Sequence, residues 1–141
     1  MAEGLDKELD EELAKRAMKN VTGQAEMASL RITEAAPGRI AFSIDVPATA
    51  ANYHGSVHGG FLATLLEVGA GMVATTLDLN NVALTSAVNF IKRAPVGPLV
   101  VRTEASHIGR STIVTNGRVE TAAGKLLTEA TFTLFVLPPE E

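Results

Sequence analysis

The 141-residue chain has no cysteine and no tryptophan, and aromatic residues make up 4% of it. Without cysteine there are no disulfides, no thiolate nucleophile and no cysteine-based zinc site. So few aromatics leave no stacking platform for single-stranded nucleic acid. Cations are also in the minority: 12 Lys and Arg stand against 16 Asp and Glu, a net charge of -4. A general nucleic-acid binder needs a basic face, and this balance offers none. No apolar run approaches the length expected of a membrane span. Residues 1–20 are rich in Glu, Asp and Lys rather than apolar, so they do not read as a signal peptide. The expected setting is cytoplasmic, and the expected partner a small molecule or another copy of the chain.

The 46% apolar fraction is enough for one moderate core. Leu5, Leu9, Leu13 and Ala17 recur every fourth residue among charges, which predicts an amphipathic surface helix. Strand-like runs follow over 24–33 and 39–46, flanking a connection at Glu34-Ala35-Ala36-Pro37-Gly38. In the second run Ile40, Phe42, Ile44 and Val46 alternate with Ala41, Ser43 and Asp45, the period of a strand with one face on a core. After Pro47 and a polar loop, residues 59–77 read as a long helix. Four more strand-like runs, over 82–93, 99–108, 111–121 and 125–137, complete the chain. Strands and helices do not alternate as in a parallel βαβ array. The class is therefore α+β, an antiparallel sheet wrapped around one central helix.

Glu67 is the sole ionisable residue of that helix. Burying a lone carboxylate costs several kcal/mol, on the order of the figures for unpaired buried charge. Folding alone would favour Leu or Ala. Ala63, Thr64, Ala70 and Gly71 share its face, with Gly60 and Ala74 extending the stripe. Such small side chains admit a second backbone or a ligand. Without a functional role, Glu67 would be a helix-edge residue or half of an ion pair.

Upstream, the loop from Asn52 enters the helix at His58-Gly59-Gly60. A helix start offers unpaired N–H groups and partial positive charge, and glycine lets a ligand reach them. A carbonyl oxygen gaining negative charge suits that position. Gly59 and Glu67 are eight residues apart, roughly 12 Å along a helix axis. One carbonyl cannot readily meet both in the same chain, so joint action predicts a dimer with shared sites. His54 and His58 lie in a glycine-rich loop with one further histidine, His107, so no metal site is expected. Neither a nucleophile elbow at Ser56 nor a nucleotide-binding loop is present.

The block Asn52 to Glu67 through His58-Gly59-Gly60, followed by Val88-Asn89-Phe90-Ile91-Lys92-Arg93-Ala94-Pro95-Val96-Gly97, resembles the hot-dog-fold acyl-CoA thioesterases. Within them it is similar to the phenylacetate-degradation type and the related Glu-using 4-hydroxybenzoyl-CoA thioesterases. The likeness runs over about 38–136 and implies a hot-dog domain over 21–141 behind an N-terminal helical segment over 1–20. It also implies homodimers, often paired into homotetramers, and a substrate carrying coenzyme A, with no separate cofactor. By position, Glu67 matches the acid that attacks the thioester or activates water. Gly59, from the partner chain, matches the N–H that polarises the carbonyl, with Gly60 beside it on the substrate. Asn52 matches a residue holding the reacting groups, His58 lies near the carbonyl, and Thr85 matches a hydroxyl that orients water. Lys92, Arg93, Arg110, Ser111 and Thr112 match loop positions facing the phosphates of coenzyme A. An ordinary strand threonine, and solvated charges or turn residues, are the plainer readings of these last six. Two departures are visible: Arg93-Ala94-Pro95 where Arg-Pro is commoner, and Glu67 where many relatives carry Asp. A non-catalytic acyl-CoA-binding module is the alternative; a hydratase would need an Asp and His pair that is not matched here.

Overall fold

Leucine and alanine at positions 13 and 17 hold down the first helix of the computed structural model, which describes residues 9–21 and 24–139. Helix α1 (Glu11–Ala17) starts where Asp10 Oδ1 accepts from the N–H groups of Glu12 and Leu13, at 3.0 and 3.1 Å. Glu11 and Glu12 in its first turn and Lys15 and Arg16 in its last suit the helix dipole. Leu9 therefore precedes the helix and is exposed, while Leu5 lies outside the described residues. Of the four residues of the repeat, Leu13 and Ala17 lie in this helix.

Six strands form one antiparallel sheet in the order β1-β2-β4-β5-β6-β3. They are β1 (Arg31–Ala36), β2 (Arg39–Val46), β3 (Asn81–Phe90), β4 (Gly97–Ile108), β5 (Thr112–Thr121) and β6 (Leu126–Val136). The long helix, α2 (Gly59–Thr76), packs against β2, β3, β4, β5 and β6. The expected run over 24–33 is corrected. A short 3-10 turn (Ala25–Met27) tucks Met27 into the core, and the strand begins later. Glu34, Ala35 and Ala36 belong to β1 rather than to the connection, because Ala35 and Ala36 are buried and Glu34 meets Arg39 at 3.2 Å across the hairpin. Pro37-Gly38 alone makes the turn, with Gly38 at φ 82°, where a side chain would be strained.

β3 is also shorter than the 82–93 run. A bulge in β6 leaves the carbonyl of Leu127 accepting from both Ile91 and Lys92 N–H groups, and pairing stops at Phe90. The chain then turns so that Ala94 is buried and Ser56 bridges Pro95.

By length and composition, α2 could cross a membrane, contrary to the reading of the bare sequence. Half of it is instead buried against the sheet, through Leu62, Leu65, Leu66, Met72 and Val73. Inward-facing Phe42, Val101, Ile113 and Leu134 complete that core. Thr76 ties the helix end to the β1–β2 turn: its hydroxyl donates to Val73 O at 2.6 Å and accepts from Gly38 N–H at 2.8 Å.

Candidate active site

The start of α2 is left open. No side chain caps it, and the first N–H of the helix to bond backwards is that of Phe61, to His58 O at 3.0 Å. Gly59 lines a cleft of about 450 Å³ together with Asn52, Phe90, Lys92 and Arg93. Among the described residues nothing lies within 4 Å of a β-carbon built on Gly60, so there is space beside it. His58 is the exposed N-cap residue.

The loop before it is shaped by polar bonds. Asn52 Oδ1 accepts from the N–H groups of His54 and Ser56, at 3.0 and 3.2 Å. Asn52 N–H donates to Ser56 O at 2.7 Å, and Gly55 turns the chain at φ 83°. Val57 N–H donates to Ala94 O and His58 N–H to Ala50 O, both at 2.9 Å. With its carbonyl oxygen occupied in this way, Asn52 can offer a ligand its amide NH2 but not its acceptor.

Glu67 is exposed, not buried, and no ion pair forms to it among the described residues. The small-residue stripe is narrower than the sequence suggested, because Ala70 and Ala74 are wholly buried in the chain's own core. Gly60, Ala63, Thr64 and Gly71 remain beside the acid, and Asn20 closes over Gly71. Gly59, Ala63 and Glu67 follow one another at intervals of four along one flank. Phe90 of β3 rests on Gly59, so that flank is the one above β3.

β3 is an edge of the sheet, and among the described residues it exposes several large apolar side chains. Val82, Leu84, Phe90 and the following Ile91 are 47%, 55%, 55% and 46% exposed. Thr85 is also exposed, and follows a bulge at Leu84. It pairs with Thr133, while Ser86 pairs with the buried Phe132.

The remaining predicted positions do not gather in one chain. Lys92 and Arg93 line the cleft, at the Phe90 end of β3. Arg110, Ser111 and Thr112 make the β4–β5 turn, whose register leads through Thr112 and Phe135 to Val82, at the opposite end. The two ends are roughly 27 Å apart along the strand. Arg93 is already engaged: Nε donates to Ser56 Oγ at 2.8 Å and Nη2 to His54 O at 3.1 Å. This clamp escaped the sequence reading, since its partners are 37 and 39 residues away.

The profile of the Thioesterase superfamily matches residues 54–128, and the chain belongs to that family. A hypothetical thioesterase of Streptococcus pneumoniae, solved with coenzyme A, is 30% identical over 81% of this chain and 93% of its own, with a TM-score of 0.77. A Streptococcus mutans protein bound to acetyl CoA is 25% identical over 86% and 98% of the two chains, also with a TM-score of 0.77. PaaI of E. coli, from the phenylacetic acid degradation operon, shares the fold at a TM-score of 0.78 and 20% identity, covering 89% and 96%. No curated protein matches the sequence. The fold is thus the hot-dog fold, and the protein is a thioester hydrolase.

Proposed function

We propose that the protein hydrolyses acyl-CoA thioesters in the cytoplasm, at sites shared between the two chains of a dimer. The carrying observation is geometric. The open N–H groups at Gly59 and the exposed carboxylate of Glu67 lie on one flank of α2, roughly 12 Å apart in the same chain. A second copy supplies the missing half of each site. The unpaired, apolar edge of β3 suits such a copy, because an exposed edge strand is a template for pairing. Antiparallel pairing of β3 with its copy sets the Val82 end of one strand against the Phe90 end of the other. Arg110, Ser111 and Thr112 of one chain then approach Lys92 and the cleft of its partner, giving a cationic entrance for phosphates. Two such dimers join as a homotetramer.

In this reading the acyl carbonyl accepts from Gly59 N–H, beside His58 and the Asn52 amide. Glu67 of the partner chain either attacks the carbonyl carbon or takes a proton from the water that does. The C–S bond breaks, the sulfur leaves as coenzyme A thiol, and water supplies the hydroxyl of the free acid. Coenzyme A is carried over from the two streptococcal relatives. Thiol release across a panel of aryl and fatty acyl-CoAs tests the proposal. Tight binding without release of thiol would make the protein a binding module instead.

A further inference from the structure

Resting on that reading, we propose that Arg93 is a positioning residue, holding the loop 52–58 so that it presents the Gly59 N–H, rather than a contact for coenzyme A phosphate. The tip of this loop has little apolar anchorage. Tyr53 is 93% exposed and His54 and Gly55 are exposed, while Ser56 and Val57 are buried at its end. Its shape therefore depends on polar bonds, and two of them come from one guanidinium. Arg93 Nε donates to Ser56 Oγ at 2.8 Å and Nη2 to His54 O at 3.1 Å. Ser56 is 9% exposed, so its hydroxyl is a fixed acceptor and not a mobile surface group.

The same stretch of chain is tied at the backbone as well. Ser56 bridges Pro95, and Val57 N–H donates to Ala94 O at 2.9 Å. The segment after β3 and the segment before α2 are thus locked side by side, with Arg93 at the solvent end of the lock. Only Val57 and His58 separate Ser56 from Gly59, so a shift of the loop is passed to the helix start. A planar guanidinium makes two bonds in fixed directions, and a lysine ammonium cannot reproduce that fork. Two of the five N–H donors are committed to the loop, so a phosphate would have to take the remaining ones at Nη1 and Nη2 while the clamp fixes where the guanidinium lies.

The test compares wild type with R93K and S56A on two thioesters of one acyl group, acyl-CoA and acyl-N-acetylcysteamine, which lacks the nucleotide and its phosphates. Backbone hydrogen exchange over 52–58 is followed in parallel. R93K is expected to lower turnover by about ten- to a hundredfold, the scale of small misplacements at a reacting centre. The factor should be the same on both substrates, with little change in KM for acyl-CoA. S56A should act in the same direction, less strongly, and exchange at the His54 and Ser56 amides should quicken in both variants. A raised KM for acyl-CoA with the short thioester unaffected would overturn the proposal in favour of a phosphate contact. Unchanged exchange would overturn it outright. If wild type hydrolyses neither thioester, the acyl-CoA reading fails, and exchange alone still decides for or against the clamp.

Discussion

The ring of Phe90 lies against Gly59: a β-carbon on Gly59 would sit 3.2 Å from Phe90 Cε1 and 3.3 Å from Cζ. Phe90 is 55% exposed, so the ring has room to give way. Gly59→Ala should therefore keep most activity. Gly59→Pro adds the same carbon and also removes the N–H. Proline is accepted at the first position of a helix, and His58 at ψ 135° suits a residue preceding it. The proline variant should fold and lose about 10²- to 10³-fold in kcat, the scale of one lost oxyanion donor. Steady-state thiol release, compared between the two variants, checks this; equal rates would show that the N–H is not used.

Glu67 makes no ion pair among the described residues and is exposed, so folding should not depend on it. Glu67→Gln should change the unfolding free energy by no more than an ordinary surface substitution, about 0.5 kcal/mol. Turnover should fall by about 10²- to 10⁴-fold, as expected for the loss of a general base. Near-normal hydrolysis by this variant would remove Glu67 from the mechanism.

A shared site can be tested by mixing inactive chains. A dimer of one Glu67→Gln chain and one Gly59→Pro chain holds one intact site and one doubly defective site. After dissociation and random reassembly in equal amounts, about a quarter of wild-type activity should return, since half the dimers are mixed and each has one working site. Were each site confined to one chain, mixing would restore nothing.

The β3 edge gives a fourth test. Leu84 sits at a bulge, 55% exposed, on a strand whose outer side has no partner among the described residues. A lysine there is the usual device by which an edge strand resists pairing. Leu84→Lys should shift sedimentation towards the monomer and lower activity in step. A fully active monomer would rule out the composite site.

Much of this was legible in the sequence because it depends on local pattern. The bounds of β2 follow from its alternation and from Pro47, and those of α2 from a largely apolar run after Gly59 in which Glu67 is the one charge. Other features depend on contacts between distant residues. That the strand ends at Phe90 follows from Leu127, and that Glu34 sits in a strand follows partly from Arg39. The burial of Ala70 and Ala74 was hidden for a related reason. Alanine suits the core and an approach surface equally, and the sheet decides between them. Glu67 itself stood out as a charge on an apolar helix, but its exposure could not be read from the helix alone.

The contact of α2 with the sheet depends on two glycines and one threonine. A β-carbon on Gly69 would collide with Thr103 Oγ1, and one on Gly117 would come within 2.9 Å of Leu66 Cδ2 and 3.4 Å of the same hydroxyl. Thr103 Oγ1 is buried without a hydrogen-bond partner among the described residues, so it is held there by packing. Gly69→Ala gains up to about 1 kcal/mol of helix propensity. Overpacking costs about 1–3 kcal/mol. The balance should be a net loss of roughly 1–2 kcal/mol, read from denaturant midpoints. Gly60→Ala, with nothing within 4 Å of the added carbon, separates propensity from packing and should not destabilise. Thr103→Ala relieves the clash, so adding it to Gly69→Ala should recover part of the loss, and the double-mutant cycle should show a clear coupling. If Gly69→Ala is as stable as wild type and the cycle is additive, the helix does not lie on the sheet as closely as these atoms place it.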